Sequence, residues 1–130
     1  MAAIKVKLNV TSSGLLSSPI KLTEIDSIVT TGVVQRAAKT ITVVDGAAAV
    51  LLAKADFTDA DDQAMVILKN TGATHNLYVE FTADDEAMLL APGQFAMFPW
   101  CTDNTIGNDI SVYASNSAGT TVEATVIEIT

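Results

Sequence analysis

His75 is the only histidine and Cys101 the only cysteine in the 130 residues. Neither a Ser-His-Asp triad nor a histidine-built metal cluster can therefore be assembled within one chain. Thr74 and Asn76 flank His75 and mark a loop tip, where a histidine is a solvated turn residue. Cys101 follows Pro99-Trp100 at a strand end with no histidine near it in sequence. It reads as a buried thiol acting as a small hydrophobe rather than as a nucleophile.

The remaining polar chemistry is carboxylate. Asp56, Asp59, Asp61 and Asp62 crowd one segment and Asp84-Asp85-Glu86 another, and hard cations take several carboxylates from one loop. The first group lacks the central glycine and the terminal bidentate Glu of an EF-hand loop, so that match fails, and both groups read first as solvated turns. A sugar platform needs several exposed rings, and Trp100, Tyr78 and Tyr113 are the only Trp and Tyr residues. Gly32, Gly46, Gly72, Gly93, Gly107 and Gly119 stand apart as turn glycines, and no phosphate loop is formed. The expectation is a chain with no catalytic residue, no cofactor and no metal site.

What positions these residues must be a small apolar domain. Apolar residues make up 49% and charged residues 17% of the chain, against about 25% charged in an average soluble protein. The longest apolar run, residues 47–53, is far short of the roughly 18 a membrane span needs. The opening Met1-Ala2-Ala3-Ile4-Lys5-Val6-Lys7 alternates charge and apolar residues, so no signal peptide is expected. Net charge is −8 and the isoelectric point about 4.3, which argues against direct nucleic-acid binding, since phosphate neutralisation needs clustered Lys and Arg. The charge is unevenly spread: Lys5, Lys7, Lys21, Arg36, Lys39 and Lys54 all fall in residues 1–54, whereas residues 55–130 hold Lys69 alone against twelve of the 15 acids.

The periodicity is that of strands. Ile4, Val6, Leu8 and Val10 alternate with Lys5, Lys7, Asn9 and Thr11, the period-two pattern of a half-buried strand. Residues 11–19 are loop by composition, residues 20–28 a further strand, and residues 40–44 another, with Asp45-Gly46 as a hairpin turn and residues 47–53 as its partner. Thr58 or Asp59 caps the one short helical turn expected. Ala64-Met65-Val66-Ile67-Leu68 is apolar on both faces; Leu77, Val79 and Phe81 alternate with Tyr78, Glu80 and Thr82. Met88-Leu89-Leu90 and Phe95-Ala96-Met97-Phe98 flank Pro92-Gly93 as a second hairpin candidate with a type II turn. Residues 110–115 and 122–129 close the chain, the last with Val122, Ala124 and Val126 on one parity and Ile127 and Ile129 on the other. About eight or nine short strands with a turn every 8 to 12 residues predict an all-β, antiparallel β-sandwich or jelly-roll-like fold, one domain over residues 1–130, with residues 1–19 a candidate assembly-contact strand and loop.

Ile67-Leu68-Lys69-Asn70-Thr71-Gly72, Leu77-Tyr78-Val79-Glu80-Phe81, Leu90-Ala91-Pro92-Gly93-Gln94-Phe95 and Ile110-Ser111-Val112-Tyr113-Ala114 together resemble the small β-sandwich virion proteins of tailed bacteriophages. The resemblance covers roughly residues 64–129 and carries no functional residue across. It implies a non-enzymatic, many-copy role, foremost as a capsid decoration (cement) protein. Its partners would be itself, as a trimer or ring, and virion proteins such as the major capsid protein, in virions assembled in the host cytoplasm, with no membrane. The more basic N-terminal half would then touch the lattice and the acidic half face solvent. A tail, neck or baseplate ring component is the alternative within that class, and a carbohydrate- or ligand-binding β-sandwich module the alternative outside it.

Overall fold

The computed structural model describes residues 2–12, 20–30, 34–44, 47–57, 63–82, 85–103 and 105–128. Ten strands account for most of them: β1 (Ala2–Ser12), β2 (Ile20–Thr30), β3 (Val34–Ile41), β4 (Ala49–Leu52), β5 (Gln63–Asn70), β6 (Leu77–Thr82), β7 (Asp85–Leu90), β8 (Phe95–Cys101), β9 (Ile110–Ala114) and β10 (Thr120–Glu128). One 3-10 turn, Lys54–Asp56, is the only helical element among the described residues. It lies just upstream of Thr58 and Asp59, which fall outside them together with Asp45, Gly46 and Ile129.

Eight strands form two four-stranded antiparallel sheets, in the orders β3-β10-β5-β8 and β4-β9-β6-β7. The pairing has a simple rule. The first strand of the set pairs with the last, β3 with β10, and then β4 with β9, β5 with β8 and β6 with β7. The eight strands are thus one long hairpin with its bend between β6 and β7, rolled so that β10 also meets β5 and β9 also meets β6. That connectivity is a jelly roll.

Alternation explains which side chains meet between the sheets. Val122, Ala124 and Val126 of β10, Ala64, Val66 and Leu68 of β5 and Trp100 of β8 face Leu77 and Val79 of β6, Ile110, Val112 and Ala114 of β9 and Leu90 of β7. Burying a Val or Leu in such a core contributes about 1.5–3 kcal/mol. Phe81 of β6 meets Phe98 of β8 edge to face at 5.5 Å, joining the two sheets. β10 is an interior strand, paired on both edges, and has apolar residues on both parities, with Ile127 buried on the face away from the core.

Two hairpins expected from turn residues are not hairpins. Gly93 has φ +81° and the Gln94 N–H donates to the Ala91 carbonyl at 2.9 Å, so the tight turn is there. Yet β7 and β8 belong to opposite sheets. Likewise the Ala47 N–H donates to the Val44 carbonyl at 3.1 Å, while β3 and β4 lie in opposite sheets and β3 ends at Ile41. In both places the turn carries the chain across the sandwich rather than back along its neighbour.

β1 and β2 stand apart. They pair only with each other, as a ribbon in uninterrupted antiparallel register from Ala2↔Thr30 to Ser12↔Ile20, joined to β3 by residues 31–33. The ribbon therefore takes in both β1 and β2, more chain than residues 1–19. Strands of this length span about 35 Å.

Candidate interaction surface

Strand direction decides where the charged residues collect. Val34 at the start of β3 pairs with Ile127, Glu128 at the end of β10 with Ala64, Gln63 with Cys101, Leu52 with Ile110, and Thr82 with Asp85. The start of β3, the β4–β5, β6–β7 and β8–β9 connections and the end of β10 therefore share one end of the jelly roll. The first of these connections carries Asp56 and, in sequence beyond Phe57, Asp59, Asp61 and Asp62; the second carries Asp84 with Asp85 and Glu86 after it; the third carries Asp103 and Asp109. Lys54, with Arg36 further along β3, is the cationic content of the same end. The connections at the opposite end, residues 42–48, 71–76, 91–94 and 115–119, contain only Asp45 and His75 as titratable residues. The molecule has an acidic end and a nearly neutral one.

The acidic end is built on a pinned loop. Trp100 is 4% exposed, packs edge to face on Phe57 at 5.4 Å, and donates its indole N–H to the Asn108 carbonyl at 2.8 Å. The backbone N–H of Lys54 donates to Asp109 Oδ1 at 2.9 Å and its Nζ to the Gly107 carbonyl at 2.6 Å, tying the 3-10 turn to the β8–β9 loop. Asp103 Oδ1 accepts from the amides of Thr105 at 2.6 Å and Ile106 at 3.0 Å. Those two amides, with a smaller contribution from Lys54, hold its carboxyl below the ordinary value of 3.8. Gly107 sits where a Cβ would press on the carbonyls of Cys101 and Asp103, at 2.5 and 2.7 Å.

The neutral end is organised by Asn70, which is fully buried. Its Nδ2 donates to the carbonyls of His75 and Leu90, both at 2.9 Å. Its Oδ1 accepts from Thr120 Oγ1 at 2.6 Å and from the Gly72 N–H at 3.1 Å. One side chain thus joins β5, the β5–β6 loop, β7 and β10, with its donor and acceptor capacity used. In sequence nothing distinguishes a turn asparagine from a buried one without the strands around it.

The residues singled out from the sequence are dispersed. His75 is half-buried in the β5–β6 loop at the neutral end, whereas Cys101 is at the acidic end. Cys101 is exposed, not buried: in β8 the alternate positions Ala96, Phe98 and Trp100 face inward, leaving Phe95, Met97, Pro99 and Cys101 on the outer face. Trp100 is a core residue, and Tyr78 stacks on the buried Tyr113, ring centroids 4.6 Å apart, as direct partners on β6 and β9. These rings do not converge on one open face. Among the described residues no three His, Cys, Asp or Glu side chains are placed to share a metal ion.

The exposed apolar surface lies mainly along the side where the edge strands β7 and β8 adjoin. Leu89, Phe95, Met97 and Ile106 are all exposed there, Phe95 to 64% and Ile106 to 75%. Two shallow depressions open on this side, one of about 590 Å³ flanked by Leu89 and Phe95 and one of about 260 Å³ between Phe81, Pro99 and Ile106. Neither gathers the convergent polar groups of a small-ligand site. Pro99 has no N–H to offer an added strand, so β8 is a poor template for β-augmentation and the surface is suited to apolar burial instead.

No described helix is long and apolar enough to cross a membrane. No family model, curated protein or solved structure matches the chain.

Proposed function

We propose that the chain is a non-enzymatic structural protein of a tailed-phage virion, acting as a capsid decoration protein that holds neighbouring coat subunits together. The observation that carries this reading is the pairing of a jelly roll with an apolar β7–β8 side, where Leu89, Phe95, Met97 and Ile106 are exposed and neither of the two depressions described there gathers convergent polar groups. Exposed apolar patches mark interaction sites, and Phe95 and Met97 share the outer face of β8. The jelly roll is also a common architecture of viral shells, an analogy of fold that raises the reading without establishing it. Support from the sequence is the resemblance of residues 64–129 to small virion proteins. In this reading the β7–β8 side meets the shell by apolar burial. Arg36 and Lys39 sit in β3, whose neighbour β10 carries Glu123 and Glu128, so basic and acidic residues share a sheet.

The test is co-sedimentation of the purified chain with phage heads stripped of accessory proteins. Saturable binding that falls at least tenfold in the double variant Phe95→Ser, Met97→Ser, with the fold intact, is the expected result. Assembly into rings or tubes with no head binding would move the protein to the tail, neck or baseplate. A monomer that binds no particle would overturn the virion reading, and retention on a glycan array would restore the ligand-binding module.

A further inference from the structure

The longest apolar run in the chain, residues 47–53, lies at a sheet edge and not in the core. It contains β4, which pairs with β9 and is the outermost strand of its sheet. None of its side chains is fully buried, and Val50 is 47% exposed. A short uncharged segment of Ala, Val and Leu without proline, placed at an edge, is a template for pairing with another chain. Two of the other edge strands carry devices against such pairing. β8 has Pro99, and β7 meets β6 with two register shifts. β4 has one irregularity, between Val50 and Leu52, and no charge of its own.

The charge comes from the opposite sheet. Lys39 of β3 pairs with Val122, and directly opposed residues of an antiparallel pair share a face. Val122 is buried in the core, so Lys39 points inward at the edge of its sheet. It is exposed there, and its Nζ donates to the Val50 carbonyl at 3.4 Å, crossing from one sheet to the other. We infer that this contact is an edge guard, in which Lys39 keeps β4 from accepting a strand of a second copy of this chain. The amine occupies a main-chain acceptor of β4 and holds a full charge beside Val50. An incoming strand has to displace the amine or strip it of water, and burying an unpaired ammonium is strongly unfavourable. The same inward-pointing lysine makes β3 a poor template as well. The strand kept out is another β4. Residues 47–53 carry no charge, so two copies of this segment meet without the repulsion that a chain of net charge −8 feels elsewhere. The guard is independent of what the β7–β8 side meets.

Removing the amine in the full chain is the test. Lys39→Thr suits a strand and takes the charge away, and Lys39→Gln takes the charge away while keeping a long side chain. Sedimentation velocity should show self-association strengthened by about tenfold or more in both variants. Lys39 is exposed, so their urea midpoints, followed by Trp100 emission, should stay close to the parent's. Hydrogen exchange should show added protection at the amides of residues 49–52 in the associated species. Val50→Lys on the Lys39→Thr background should return the parent's behaviour, and Lys39→Arg should not depart from it. Folded variants that associate no more than the parent overturn the inference. So do oligomers that leave residues 49–52 unprotected or that persist with Val50→Lys, because the contact between copies then lies on another surface.

Discussion

Replacing Asn70 by alanine should be among the most damaging single changes available in the sandwich. The substitution removes four hydrogen bonds at a position with no solvent access. The Leu90 carbonyl and the Thr120 hydroxyl lose a buried partner, each at about 1–3 kcal/mol. The Gly72 N–H retains the Thr121 carbonyl at 3.2 Å, and the His75 carbonyl is only part-buried, so those two losses cost less. The sum is about 3–5 kcal/mol, a large share of the 5–15 kcal/mol typical of a domain, or some 10–20 °C in melting temperature. Urea denaturation followed by the single tryptophan measures it. Asn70→Asp sharpens the test, because the carboxylate keeps the two accepted bonds and turns an oxygen toward the carbonyls of His75 and Leu90. Its ionised form is penalised in the folded state, so its folded pKa rises above the unfolded value. The loss relative to the parent is then full above the folded pKa and shrinks as pH falls toward the unfolded one. An alanine variant within about 1 kcal/mol of the parent, or an aspartate variant whose deficit is the same at pH 7 and pH 4, would refute the account of this side chain.

Two further outcomes follow from the acidic end. Asp103, held below its ordinary 3.8 by the amides of Thr105 and Ile106, binds fewer protons folded than unfolded. Its stabilisation is present above 3.8 and lost as pH falls through the lower folded value, so the gap between the parent and Asp103→Asn in thermal melts should close in acid; a constant gap would argue against the amide contacts. Cys101 is exposed on the outer face of β8, so one thiol per chain should react with a disulfide reagent without denaturant, and protection until unfolding would contradict that placement.

Much of the fold was legible in the residues. The alternation of residues 4–10 lies within β1, and the runs around Val66, Val79, Val112 and Ala124 lie within β5, β6, β9 and β10. β3 was displaced, because Arg36, Ala37, Ala38 and Lys39 break the alternation and drew the reading toward residues 40–44. The turns at Asp45-Gly46 and Pro92-Gly93 misled for a different reason. Turn chemistry fixes a local reversal but not the sheet that the next strand joins, which is settled by burial across the whole domain. The outward Phe95 and Met97 hid the parity of β8 and with it the exposure of Cys101, since both of its faces are apolar in sequence. The shared end of the β4–β5, β6–β7 and β8–β9 connections was out of reach because it follows only from strand direction.

The rolled hairpin also dictates an order of folding. Thr82 finds Asp85 almost at once, whereas Ile41 must wait for Thr120 and Val34 for Ile127. Closing such long loops is slow, on the order of milliseconds to seconds, and the pairing of β6 with β7 is the natural place for the zipper to start. On a ribosome β3 would be without its partner until almost the last residues are synthesised.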